Sequence, residues 1–436
     1  MTAPAVDRSR RRGEQAGRRA GAGARPPPTG VRVRPFRGYR FDPAKVGDMS
    51  SVLAPPYDQI GPETQARLYE MSPWNIVRLT LPREGYAAAR ATLDAWRAAG
   101  IFEQERAPAI YPYQQVYVVD GAPVTRRGFV ALGELTEYAE TVVQPHERTH
   151  AGPKEDRMRL LEATAADLGL VFMLTQDPDG SLGRATEPAG SPLVEARDLR
   201  GETHRLWRLT DPGVIARVQA LMADRPVIIA DGHHRYETAL AYRRAHPAAR
   251  DKLMAFFALD APGVTIFANH RLVHQVDGFA LDRLLARAAE WFEARPLPTP
   301  IRPEPGAIVV VAGPNPDGAL LRLRPGAAAR IPWPAGTSSA WRRLAVSVLH
   351  EALLKPFLDI TDDKLDRKSH VDYTADADEA VTLVRKGVYQ AGFLIDPTTP
   401  AELAAVVAGG ELMPQKSTHF YPKLLDGLVF YRLNEE

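Results

Sequence analysis

Three short stretches carry residue types and spacings that can do chemistry. PHERTH, residues 145–150, sets His146, Glu147 and His150 in the zinc-protease pattern H-E-x-x-H. That pattern works only on a helix, where one turn brings both imidazoles to one face beside the glutamate. Pro145 can open a helix, but Ala151-Gly152-Pro153 ends it, because proline lacks an amide proton and disfavours helix in the residue before it. The spacing therefore predicts a turn over His146 to His150. A new helix is expected from Pro153, with Met158, Leu161, Ala165 and Leu168 along one face. In such a turn Glu147, between His146 and Arg148, is a carboxylate placed to orient or deprotonate a hydroxyl. The zinc peptidase stays as an alternative, and it would require stoichiometric zinc on His146 and His150.

The second stretch is ADGHHR, residues 230–235. Val227 to Ala230 reads as a strand, Asp231-Gly232 as a turn, and Tyr236, Ala239 and Leu240 as the buried face of a helix starting near His233. Free amides at the positive end of a helix suit a phosphate or carboxylate, and Gly232 allows close approach of the backbone. His233, His234 and Arg235 in the first turn oppose the helix dipole, which predicts an anion to neutralise them. Asp231 is placed to cap the helix or hold Mg²⁺. The third stretch, KSTHFYPK at 416–423, offers Lys416 and Lys423 to phosphates, Ser417 and Thr418 as hydroxyl donors, and His419 and Tyr421 for stacking or polar contact. Their density predicts a segment that folds back into the site rather than a plain terminal strand. Asp156, in the first turn of the helix after PHERTH, is a magnesium candidate, and Lys154 could reach a phosphate. Tyr57 and Asp58 in APPYDQI, and Asn75 with Arg78 in SPWNIVRL, are lesser candidates.

These residues need a scaffold of alternating strands and helices. Helices are expected from Pro62, over Tyr86 to Ala99 and around Trp341 to Leu354. Strands are expected at 109–119, 126–135, 171–175, 253–260, 308–313 and 391–396. The predicted class is α/β with mixed sheets. Its parts are a basic disordered tail over 1–30, a core over 31–295, and a second α/β subdomain over 296–436 beginning at the Pro-rich stretch near 295.

The bulk composition excludes several classes. The 436 residues, 45% hydrophobic and 25% charged, contain no cysteine, so thiol nucleophiles, disulfides and thiolate metal sites are ruled out. No apolar run is long enough to span a bilayer and no secretion signal is visible, so a cytoplasmic protein is expected. The tail has seven arginines against Asp7 and Glu14; removing its net +5 from the chain's +2 leaves −3. A slightly acidic body argues against a dedicated nucleic-acid binder, although the tail could touch phosphates weakly.

APPYDQI, PHERTHAGPKEDR, IADGHHRYETAL, NHRLV and MPQKSTHFYPKLLDGLVF, in that order over nearly the whole chain, resemble the bacterial family called domain of unknown function 1015. In that family the second histidine of HERTH is not part of the pattern. The DGHHRYETA block in turn resembles the phosphate-binding box of the ParB and sulfiredoxin-like fold, which includes free serine kinases, nucleotide-gated partition proteins and ATP-using sulfiredoxins. The resemblance implies a ParB-like core in which Gly232, His233, His234 and Arg235 grip the phosphates of ATP or ADP. Sulfiredoxin chemistry falls away for want of a cysteine. Phosphoryl transfer to a small hydroxyl stays open, since it needs positioned phosphates, Mg²⁺ and one carboxylate to orient or deprotonate the acceptor, and no covalent intermediate. Free serine or phosphoserine is the leading substrate, because members of the family are often encoded beside serine-biosynthesis enzymes. The rival is a nucleotide-binding regulatory or DNA-associated protein that turns over no metabolite.

Overall fold

The computed structural model describes residues 29–148, 151–314 and 317–433, with the backbone alone for 151–153. All but the last two residues of the basic tail, and His150, lie outside the described residues. The fold is mixed α/β. Among the described residues nine strands form the larger sheet: β1 (Val33–Arg34), β2 (Tyr111–Val119), β3 (Ala122–Glu134), β4 (Val143–Gln144), β5 (Val171–Thr175), β6 (Val194–Arg197), β7 (Thr203–Leu206), β8 (Val227–Asp231) and β9 (Asp251–Ala258). Their order is β4-β8-β5-β9-β3-β2-β7-β6, with β1 added to β3. β8 runs parallel to β4 and antiparallel to β5, so the sheet is mixed. VFMLT of β5 is buried at every position, and β9 at all but its ends, as central strands covered on both faces require.

A second sheet orders its strands β11-β13-β12-β15-β10-β14, where β10 is His270–Val273, β11 Phe292–Arg295, β12 Ala307–Ala312, β13 Asp317–Leu323, β14 Val371–Thr374 and β15 Ala391–Ile395. Its first two strands precede residue 296, so the division that composition suggested there passes through this sheet. One continuous apolar cluster, containing Phe257, Val273, Phe393 and Phe430 among others, joins the two sheets. None of the described helices is long and apolar enough to cross a membrane.

Two helices carry or flank the chemically interesting stretches, α1 (Ala151–Thr164) and α2 (His233–Ala245), and they pack on each other. α1 begins two residues before the expected Pro153. Proline is harmless in a first turn, where its missing N–H has no helical partner in any case, so Ala151-Gly152-Pro153 starts the helix instead of breaking one. The helix stops at Thr164, and its buried positions are Arg157, Leu160 and Thr164 rather than the face through Met158 and Leu168.

Candidate functional site

The β8–α2 connection is a single glycine. Gly232 has φ +95°, and a Cβ there would lie 3.0 Å from Arg235 Nε. Only glycine relieves both constraints, the left-handed backbone and the guanidinium folded over it. No side chain caps α2, and the amides of its first turn have no partner within the helix.

The charge at this turn differs from the expected picture of three unneutralised cations. Arg235 donates to Asp231 Oδ2 at 3.1 Å and to the Leu170 carbonyl, and its other side borders a cavity lined by Tyr57, Arg157, Lys252 and Asp426. His233 is buried. Its Nε2 accepts the His146 amide at 3.4 Å, which leaves its proton on Nδ1, 3.8 Å from Glu147 Oε1. Burial, then the neighbouring His146, hold its pKa well below the usual histidine range, so the ring is neutral. The anion that the sequence seemed to demand is thus largely supplied from within, because Asp231 faces Arg235 and burial discharges His233. His234 follows, half-buried, at the next position.

His146 and Glu147 are not helical, as the turn reading requires; Glu147 forms a parallel bridge with Met413, and the Met413 amide donates to the His146 carbonyl at 2.7 Å. His146 Nδ1 lies 2.6 Å from the Ile229 carbonyl. A carbonyl can only accept, so Nδ1 carries the proton, and Nε2, 2.9 Å from Thr418 Oγ1, receives the hydroxyl proton.

Residues 413–423 form a strap across this turn. His419–Tyr421 pairs antiparallel with Thr265–Phe267. Asn269 donates to the carbonyls of Lys416 and Thr418 at 3.1 and 3.0 Å, fixing Lys416 at φ +55°. Arg271 donates to the Gln415 carbonyl at 3.2 Å. From the larger sheet, Arg126 donates to the carbonyls of Tyr421 at 3.0 Å and Pro422 at 2.5 Å, and to Gln115. Arg126 and Arg271 are fully buried, and their hydrogen-bond partners among the described residues are neutral. Burial draws both guanidinium pKa values down to about 10, which leaves them cations at neutral pH. Lys423 Nζ is 3.5 Å from Asp231 Oδ1. Burial alone would raise the Asp231 pKa, but the cations Lys423, Arg235 and Lys416 hold it below the usual carboxylate range. His419 is lowered to about 3, chiefly by burial, then by Lys423, and it also feels Arg200 and Lys416.

The structure therefore gathers Asp231, Gly232, His233, His146, Glu147, Thr418, Lys423 and Lys416 around one turn. Ser417 does not join them: it is buried and donates back to the Pro414 carbonyl. Asp156 is held elsewhere, accepting from Tyr86 Oη at 2.6 Å and from Arg157 Nε at 2.7 Å. Burial would raise its pKa, and the Tyr86 hydroxyl and Arg157 more than reverse that. These contacts tie its oxygens to Tyr86 and Arg157, apart from the β8–α2 turn. Among the described residues no three His, Asp or Glu side chains converge as a metal site. Lys154 pairs with Glu237 at 2.6 Å. Asn75 is an internal bracket, donating to the carbonyls of Ser51 and Leu53, and Arg78 donates to the Tyr69 carbonyl. Tyr57 lies under Arg157, ring centroid 4.0 Å from the guanidinium carbon, with its hydroxyl pushed by burial up to about 12.

Sequence reasoning missed Arg126, Gln115, Asn269 and Arg271, the residues that seat the strap. Arg126 is a charge at an inward position of a strand, Asn269 precedes the buried strand β10 and Arg271 lies within it, whereas Gln115 carries no such sign.

Among solved structures the chain is similar to a conserved hypothetical protein from Pyrococcus furiosus, at 14% identity and TM-score 0.35, covering 67% of this chain and 92% of that one. It is similar to a free serine kinase in complex with AMP, at 14% identity and TM-score 0.34, covering 64% and 83%. It is also similar to SbnI with C-terminal truncation from Staphylococcus aureus, at 12% identity and TM-score 0.36, covering 68% and 85%. At these scores the likenesses decide neither fold nor function. No curated protein matches the sequence. A family described as protein of unknown function, DUF1015, matches over residues 33–347, well over half of the chain and ending before the strap. The chain belongs to the DUF1015 family.

Proposed function

We propose that this protein binds nucleotide phosphates where the β8–α2 turn meets residues 416–423, and transfers a phosphoryl group to a small hydroxylated metabolite, with free serine or phosphoserine the leading candidate. The observation that carries the reading is a surplus of positive charge. Lys423, Lys416, Arg235 and the buried Arg126 all act on the Asp231 carboxylate, and only Arg235 is fully matched by it. Arg126 is buried with no carboxylate partner and Lys423 must share Asp231 with Arg235; a desolvated cation left so costs several kcal/mol, which a multiply charged anion offsets, and the exposed Lys416 adds to the same field. The uncapped amides of α2 add donors at the same place. The ParB-like resemblance of DGHHRYETA points to the same turn.

The roles divide accordingly. Lys423 and Lys416, with the α2 amides beside Gly232, hold phosphate oxygens, and His234 lies next to them. Arg235 orients Asp231 instead of gripping the ligand. Glu147, one-quarter exposed and facing His233 Nδ1, orients or deprotonates the acceptor hydroxyl. Mg²⁺ commonly needs only one or two protein carboxylates beside the phosphates, and Asp231, ionised and adjacent, fits that need where Asp156 does not. When bound, the ion would neutralise charge on the phosphates.

Calorimetry with each nucleotide and Mg²⁺, followed by phosphorus NMR with serine and in reverse with phosphoserine, tests the proposal. Binding with transfer is expected, and Glu147→Gln is expected to bind normally while turnover falls by about 10²–10⁴-fold. Binding without transfer to any hydroxyl acceptor would favour the regulatory reading. No binding of any nucleotide would overturn both.

A further inference from the structure

We propose that Thr418 is a phosphoryl-accepting nucleophile, activated by His146, so that transfer passes through a phosphothreonine on the enzyme; this rests on the nucleotide reading above. Two contacts converge on this residue. Thr418 Oγ1 is 2.9 Å from His146 Nε2, inside hydrogen-bond range. The other ring nitrogen donates to the Ile229 carbonyl at 2.6 Å, which fixes the tautomer and leaves the Nε2 lone pair directed at the hydroxyl. Nucleophile, base and a third group that orients the base make up the general arrangement of an activated hydroxyl.

The neighbouring serine supplies an internal contrast. Ser417 spends its proton on the strap's own backbone and is buried, as a hydroxyl used for structure would be. Thr418 is half-buried and gives its proton to an imidazole from a different part of the chain. Its carbonyl, with that of Lys416, is pinned by Asn269, so the hydroxyl has a fixed position. Lys416 and Lys423 flank it in the strap, and Lys423 reaches Asp231.

The step balances without another reagent than a nucleoside triphosphate. Thr418 Oγ1 forms a bond to the terminal phosphorus as its proton passes to His146 Nε2. The bond from that phosphorus to the bridging oxygen breaks, and the electron pair leaves with the nucleoside diphosphate. In the second step the oxygen of the metabolite hydroxyl or of water bonds to phosphorus and gives its proton to Glu147, the bond to Thr418 Oγ1 breaks, and His146 Nε2 returns its proton to that oxygen.

Rapid-quench intact-mass measurement on the full chain with ATP and Mg²⁺, with fragmentation to locate the label, tests this. One phosphoryl group on Thr418 is expected in the native protein and in Thr418→Ser, and none in Thr418→Val. His146→Gln is expected to slow labelling by about 100-fold. Because His146 is buried, its variant is read alongside Thr418→Ser and Thr418→Val, whose folding is checked by thermal melting and whose nucleotide binding is measured separately. If the native protein binds ATP and phosphorylates its acceptor without a labelled intermediate, and Thr418→Val turns over at the native rate, this proposal is wrong while the function above stands. If no nucleotide binds, both are wrong.

Discussion

The first turn of α2 and the strap at 413–423 carry similar basic residues, yet they dispose of their charge in opposite ways. At the helix the charges close on themselves: Arg235 meets Asp231, and His233 is discharged by burial against His146. At the strap, Lys416 is exposed, Lys423 stands 3.5 Å from an aspartate already bonded to Arg235, and Arg126 and Arg271 behind them bond only neutral oxygens and nitrogens. Basic composition is therefore a poor guide to anion binding. What matters is whether each cation already has a carboxylate partner, and that depends on contacts between residues up to two hundred positions apart.

Arg235→Ala should show the contrast most strongly. It removes one member of a buried pair and leaves Asp231 with Lys423, at 3.5 Å, as its nearest cation, so unfolding by denaturant should cost about 3–5 kcal/mol less. Nucleotide affinity of the folded fraction should be nearly unchanged. A large loss of affinity with little loss of stability would reverse the roles given to the two regions. Lys423→Ala should do the opposite, weakening nucleotide binding by about 1.5–3 kcal/mol in calorimetry, with stability altered by less than about 1 kcal/mol.

A pH effect should appear on the closed side of the turn. Asp426, buried among Arg235, Arg157 and Lys252, has its carboxyl raised to about 7 because burial outweighs those cations. A carboxyl raised on folding stabilises while it is protonated, and that contribution is lost as pH climbs from the ordinary aspartate value, about 4, through about 7. Melting of the native protein should accordingly lose stability as pH rises from about 4 to about 7. Asp426→Asn, which cannot ionise, should reduce that loss by about 1–2 kcal/mol. An identical pH slope in the two proteins would place the charge elsewhere. The smallest effect is expected at Asp156→Asn: about 1 kcal/mol or less of stability, since this partly exposed carboxylate only joins Tyr86 to Arg157. Its magnesium dependence of turnover should match the native protein's, and a change would restore Asp156 as a metal ligand.

Local pattern made much of the fold legible. Apolar runs such as VFMLT and VIIA, bounded by turn residues, are strands, and the helix from Tyr86 ends within one residue of its expected end. The turn at His146 and the glycine at 232 follow from proline and glycine chemistry. What could not be read locally was partnership. Nothing in ADGHHR reveals that Asp231 turns to Arg235, since an i, i+4 pair and a helix cap use the same residues. Nor does RRGFVALGEL reveal that Arg126 reaches the carbonyl of Pro422, 296 positions away. The start of α1 differs from expectation for a local reason: Pro153 reads as a break, although proline is equally at home in a first turn.

The strap is held by Arg126 from the larger sheet and by Asn269 and Arg271 at the edge of the smaller one. Residues 413–423 leave the ribosome only after every strand of both sheets has been made. A nascent chain can thus pair the strands of both sheets while the strap's cations and the Thr418 hydroxyl are still missing, and with them core residues such as Phe420 and Phe430, so the strap and the last of the core arrive together at the end of biogenesis.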